Sequence, residues 1–73
     1  MKNKYEQELI SLGSKIKQLR VDNKITQQTL AYNCDVDIRT IQRIEKGIHN
    51  PTYKILLALS ESFNIEISQL LII

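Results

Sequence analysis

The stretch 26–47, TQQTLAYNCDVDIRTIQRIEKG, constrains the fold more than any other part of this chain. Thr26 suits an N-cap, because its hydroxyl can accept a hydrogen bond from a free amide of a first helical turn. Leu30, Ala31 and Cys34 follow at helical spacing and predict a short helix over about 27–34. Asp35-Val36-Asp37 is the turn, and Asp37 can cap a second time. Ile41 and Ile44 give the next helix, about 38–46, an apolar side. Gly47 then ends it as a glycine just past the last turn. The stretch reads as two short helices joined by a tight turn.

The flanks extend the pattern. Leu9, Leu12, Ile16 and Leu19 are spaced 3, 4 and 3, one apolar stripe on a helix over about 6–23. Gly13 is a mild weakness inside it and a point where a neighbour can pack closely. After the loop Ile48-His49-Asn50-Pro51, Thr52 can cap a helix over about 53–63 with the stripe Leu56, Leu59 and Phe63. Ile65 returns to the core, and a last helix over about 67–71 offers Ile67, Leu70 and Leu71. No segment alternates with period two for long enough to make a sheet. Two glycines and one proline leave little punctuation, so loops should be short. The expected fold is all-α: one compact five-helix domain over residues 1–73, with a short flexible N-terminus at about 1–5.

Seventy-three residues allow one domain and little room for an enclosed catalytic cleft. One Cys excludes an internal disulfide, and one Cys with one His cannot build a structural zinc site. The chain suits a reducing cytoplasm. MKNKYEQELI has no apolar signal region, and no run approaches the roughly 20 apolar residues of a membrane span. A net charge of +2 says little about partners, but its distribution says more. Lys15, Lys17, Arg20 and Lys24 face only Asp22 between 15 and 24. The segment 55–73 holds Glu61 and Glu66 and no basic residue.

The third helix carries the chemistry. Residues advance by about 100° around an α-helix. Ile41, Ile44 and Glu45 therefore share one side, and Arg39 and Arg43 fall almost opposite, with Lys46 near and Gln42 and Thr40 flanking. Two arginines four apart repel mildly, so the fold gains nothing from the pair. A DNA duplex would: arginine can hold guanine bidentately, glutamine can hold adenine, and both can hold phosphate. Taken alone, the same residues also describe an ordinary solvated face.

No other cluster suggests chemistry. Cys34 reads as a small buried hydrophobe. His49 is a loop residue without a nucleophile or carboxylate at catalytic spacing. Tyr53 is expected to pack at the start of its helix. The pairs Glu6/Glu8 and Asp35/Asp37 read as surface and cap residues. Neither a catalytic group, a metal nor a cofactor is expected.

Residues Leu12 to Leu71, about four fifths of the chain, resemble the Cro/phage-repressor type of helix-turn-helix domain, the XRE-like family of bacteria and phage. The resemblance rests on Ile16-x-x-Leu-Arg20, Thr26-Gln27-x-x-Leu30-Ala31, Ile41-x-x-Ile44-Glu45-x-Gly47 and Pro51-Thr52, in that order and spacing. It implies sequence-specific binding of double-stranded DNA by a transcriptional regulator. It implies that Gln27 meets a phosphate and that Ile38, Arg39, Thr40, Gln42 and Arg43 are the base-reading positions. Arg20 and Glu45 would form an internal ion pair, which explains a Glu on the inward side of the third helix. Lys46, Asn50 and Lys54 would touch the DNA backbone.

There are departures. Asp35 stands where the family usually has Gly, and Asp tolerates left-handed backbone better than most residues. Ile38 is apolar where a polar reader is common; it can meet a thymine methyl or pack on the domain, and packing is the simpler use. The tail from Ile65 is more apolar than one short helix can bury. It suggests a homodimer through Leu57, Ile67, Leu70, Leu71 and Ile72, which would set two reading helices one DNA turn apart on a roughly palindromic operator. Two further roles stay open: an antitoxin-like or adaptor domain that binds another protein, and a restriction–modification controller.

Overall fold

Five helices run in order: α1 (Glu6–Asp22), α2 (Gln27–Asn33), α3 (Ile38–Glu45), α4 (Tyr53–Ser62) and α5 (Ile67–Leu70). The computed structural model describes residues 4–72, and among them there is no strand. Of the expected flexible N-terminus, residues 1–3 lie outside the described residues, while Lys4 and Tyr5 form a turn leading into α1. Every helix lies within one residue of its expected bounds.

Short polar side chains start the middle helices. The Thr26 hydroxyl accepts from the Thr29 amide at 3.0 Å, the Asp37 carboxylate from the Thr40 amide at 2.9 Å, and the Thr52 hydroxyl from the Ile55 amide at 3.2 Å. Each satisfies an amide that the helix itself leaves free. At α5 the Glu66 amide donates to the Gln69 side-chain oxygen at 2.9 Å.

The first four helices end in one device. Lys24, Asp35, Gly47 and Asn64 all have positive φ, between 56° and 77°. The amide after each reaches back five residues: Ile25 to the Arg20 carbonyl, Val36 to Ala31, Ile48 to Arg43 and Ile65 to Ser60, at 3.0–3.1 Å. A left-handed residue followed by an apolar one closes the last turn and sends the chain off sharply. Three of the four stops use a residue other than glycine. Local strain at these residues is offset by the carbonyls they satisfy and by the apolar residue that follows. Ile25, Val36 and Ile65 all pack against the core.

The core comprises Ile16, Leu30, Ala31, Cys34, Ile41, Ile44, Leu59, Phe63 and Leu70, drawn from every helix and two helix ends. α3 packs on α1 and α2, α2 also on α4, and α5 on α4 and α1. The helix-turn-helix pair is thus wedged between a long first helix and a C-terminal pair. The close-packing reading of Gly13 holds: it is buried, and a Cβ there would fall on the main-chain carbonyls of Ile44 and Glu45.

Two expectations are corrected. Leu70, assigned to a dimer surface, is fully buried within the one chain. The α5 turn rotates it onto the core and leaves Leu71 and Ile72 outside. Tyr53, expected to pack, is 64% exposed, because the first turn of α4 directs Ile55 and Leu56 inward instead.

Candidate nucleic-acid interface

α3 is eight residues long and sharply two-sided. Ile41 and Ile44 are essentially without exposure, which fixes the rotation of the helix about its axis. Arg39, Gln42 and Arg43 then stand open to solvent, with Lys46 exposed at the helix end. Ile38 is half-buried and packs against the core, so packing accounts for an apolar residue there. Thr40 is half-buried too, and its hydroxyl donates to the Asp37 carboxylate at 3.1 Å. Of the five expected base readers, three are open and two are partly engaged.

Asp37 has a defined use. Hydrogen bonds from the Thr40 amide and hydroxyl, with the Arg39 charge adding to them, hold its carboxyl below the usual range. It is an ionised cap rather than a free negative charge facing a ligand. Asp35 supplies the left-handed residue of the turn, at φ 56°.

Beneath this face lies the ion pair. Arg20 Nε donates to Glu45 Oε2 at 2.6 Å and Nη2 to Oε1 at 3.2 Å, while Nη1 donates to the Ile25 carbonyl at 3.0 Å. Only 13% of the Arg20 side chain and 4% of the Glu45 side chain are exposed. The bidentate fork suits guanidinium and carboxylate and ties the end of α1 to the end of α3. Gln27 joins it: its amide donates to Glu45 Oε1 at 3.1 Å, and its own oxygen accepts from the Gln42 amide at 3.4 Å. One hydrogen-bonded chain therefore runs from the interior pair to the exposed Gln42.

The Gln27 link was not foreseen from sequence, where Gln27 stood only for a phosphate contact. The missed signal was a glutamine opening α2 in a chain whose α3 must carry an inward glutamate. Lys17 was noted only as part of a basic run, yet it lines a pocket of about 330 Å³ with Gln27, Gln42, Glu45 and Lys46. Asn50 is exposed on the loop after α3, beside the buried Pro51, and Lys54 is exposed on the first turn of α4.

Outside this face the chemistry is quiet. Burial pushes the Cys34 thiol up, opposed by a hydrogen bond with Ser62, so it is not poised as a thiolate. Among the described residues no group of three or more His, Cys, Asp or Glu side chains could hold a metal ion. Nor is any described helix long and apolar enough to cross a membrane. On the far side, Leu57, Leu71 and Ile72 are 43%, 48% and 66% exposed and Ile67 is half-buried. Leu57, Ile65 and Ile67 line a groove of about 680 Å³ between α4 and α5. The Lys15 ammonium donates to the Ile72 carbonyl at 2.8 Å and ties the tail to α1.

Comparison with known proteins agrees with this fold. A model of the family described as helix-turn-helix matches residues 16–70. The restriction-modification controller protein C.AhdI from Aeromonas hydrophila superposes with a TM-score of 0.84 at 26% identity, over 88% of this chain and 97% of that one. The wild-type restriction-modification controller protein C.Esp1396I gives 0.77 at 28% identity, over 89% of this chain and 90% of that one. The clp gene regulator ClgR from Corynebacterium glutamicum gives 0.85 at 20% identity, over 89% and 69%, a likeness of fold. No curated protein sequence matches the chain.

Proposed function

The chain belongs to the helix-turn-helix family and is a DNA-binding regulator of transcription, and from that premise we propose that it is a small dimer reading a roughly palindromic operator with α3 in the major groove. The observation that carries the reading is the open face of α3. Arg39, Gln42 and Arg43 project there together, opposite the buried Ile41 and Ile44. Gln27, Lys46, Asn50 and Lys54 would hold phosphates around it, and Ile38 and Thr40 would flank the readers. Regulation of this kind works by binding alone, without a cofactor or catalysis, and in the cytoplasm.

Selection from random duplexes at stated salt should return one preferred sequence. Against it, Arg39→Ala and Arg43→Ala should each lose about 1–3 kcal/mol of discrimination at one base pair, the worth of a good bidentate contact. The reading of α3 is wrong if both variants keep the full preference of the parent.

A dimer supplies the second half-site, with reading helices about 34–36 Å apart. Leu57, Ile67, Leu71 and Ile72 are the interface we propose, and the buried Leu70 supports it from within. Leu71→Lys puts a charge on this surface without entering the core. Sedimentation should show the chain shifting to monomer at concentrations where the parent is dimeric. A dimer that persisted unchanged would place the interface elsewhere.

Likeness to two restriction-modification controller proteins, at 26% and 28% identity, favours that role among regulators. A neighbouring endonuclease–methyltransferase gene pair would support it. A neighbouring toxin gene would favour an antitoxin role instead.

A further inference from the structure

The basic run of α1 contains one residue that neither the core nor the reading face accounts for. Arg20 is spent on Glu45, and Lys15 on the carbonyl of Ile72. Lys17 is exposed, one turn before Arg20, and lines the pocket of about 330 Å³ where α1, the start of α2 and the end of α3 meet. The other linings are Gln27, Gln42, Glu45 and Lys46.

Charge decides what such a pocket takes. Glu45 is its only carboxylate, and that charge is matched by the bidentate Arg20 at 2.6 and 3.2 Å. Two lysines remain, from different elements, beside two glutamines. The site suits a compact oxyanion. It is also continuous with the reading face, because Gln42 belongs to both. A base edge met by the outer end of Gln42 brings its own strand's backbone alongside. Lysine is adapted to that contact, with three donors on a flexible stem and no geometric demand on the phosphate.

We infer that this pocket seats a backbone phosphate of the bound duplex and that Lys17 supplies the charge that neutralises it. The inference rests on the proposed reading by α3 and adds a contact from α1. Lys17 is a positioning contact: it fixes the register of α3 on the duplex and carries no sequence information.

The test is the salt dependence of binding to two probes, an arbitrary-sequence duplex and the duplex obtained by selection. Each neutralised phosphate contributes about 0.9 to the slope of log affinity against log salt. Lys17→Gln should lower that slope by about 0.9 for each bound protomer on both duplexes. Over a fourfold rise in salt this is a difference of about 3.5-fold per protomer. The preference of one duplex over the other should stay as in the parent, and Lys17→Arg should restore the slope. Lys17 is exposed, so the variants should fold, and circular dichroism checks this. An unchanged slope in Lys17→Gln, with the parent binding normally, overturns the inference and leaves the α3 reading intact. A change in preference without a change in slope overturns it too, by making Lys17 a base reader. A parent chain that bound neither duplex would overturn both.

Discussion

Arg20→Ala should cost roughly 3–5 kcal/mol of folding stability, the usual loss when one partner of a buried pair is removed. The carboxylate left behind is 4% exposed and keeps only the Gln27 amide at 3.1 Å. The Ile25 carbonyl loses its donor as well. Small domains hold about 5–15 kcal/mol in total, so this single change should leave the protein close to its limit at physiological temperature. Glu45→Ala should cost less. The orphaned guanidinium is 13% exposed and keeps the Ile25 carbonyl at 3.0 Å. Replacing both residues by apolar ones of similar size, Arg20→Met with Glu45→Leu, should recover most of the loss, since no buried charge then lacks a partner. Urea unfolding of the parent and the three variants makes the comparison. Two single variants each within about 1 kcal/mol of the parent would show that the pair is effectively solvated. The double variant has a second readout. With Glu45 gone, Gln27 has no carboxylate to hold it, so Gln42 loses its inner support. Stability should return while discrimination at the base met by Gln42 does not.

That coupling shows what the sequence could and could not convey. The helices were legible because apolar spacing is a one-dimensional signal: Leu12, Ile16 and Leu19 fall on one side at any plausible rotation of α1. The starts were legible because Thr26, Asp37 and Thr52 are caps by chemistry. The stops were less so. Lys24 and Asn64 end helices in left-handed backbone, at φ 58° and 57°, and lysine gives no local hint of it. What selects that backbone is the apolar residue after each, Ile25 and Ile65, which needs to reach the core. The ion pair was expected from family resemblance, but its extension through Gln27 to Gln42 depends on how α2 sits against α3. Leu70 and Tyr53 were misplaced for a related reason. A four-residue helix and the first turn of a longer one have too few residues for periodicity to fix their rotation. Of the site, the open Arg39, Gln42 and Arg43 followed from the inward isoleucines. The pocket around Lys17 required three elements to be placed together.

Gly13→Ala sets two effects against each other, and the geometry decides between them. Inside a helix the exchange ordinarily stabilises by about 1 kcal/mol, because glycine costs more backbone entropy. Ser14, next along α1 and exposed, provides the control: Ser14→Ala should stabilise by a few tenths of a kcal/mol through propensity alone. At Gly13 the added methyl meets main chain, the carbonyls of Ile44 and Glu45, the latter at 2.9 Å. A side chain could rotate away, but a carbonyl moves only with its helix. The last turn of α3 must therefore shift from α1. Overpacking of a close-packed contact costs typically 1–3 kcal/mol. Here the displaced turn also carries Glu45, so the ion pair stretches as the helices part. Set against the gain in propensity, the net result should be a loss of up to about 2 kcal/mol, to which the stretched ion pair adds, read as a fall of about 4–8 °C in Tm per kcal/mol for a domain this size. α3 carries the reading face, so its tilt should also weaken binding to the selected duplex more than to an arbitrary one. A Gly13→Ala chain that melted as high as Ser14→Ala would show that α1 and α3 do not approach as closely as the structure places them.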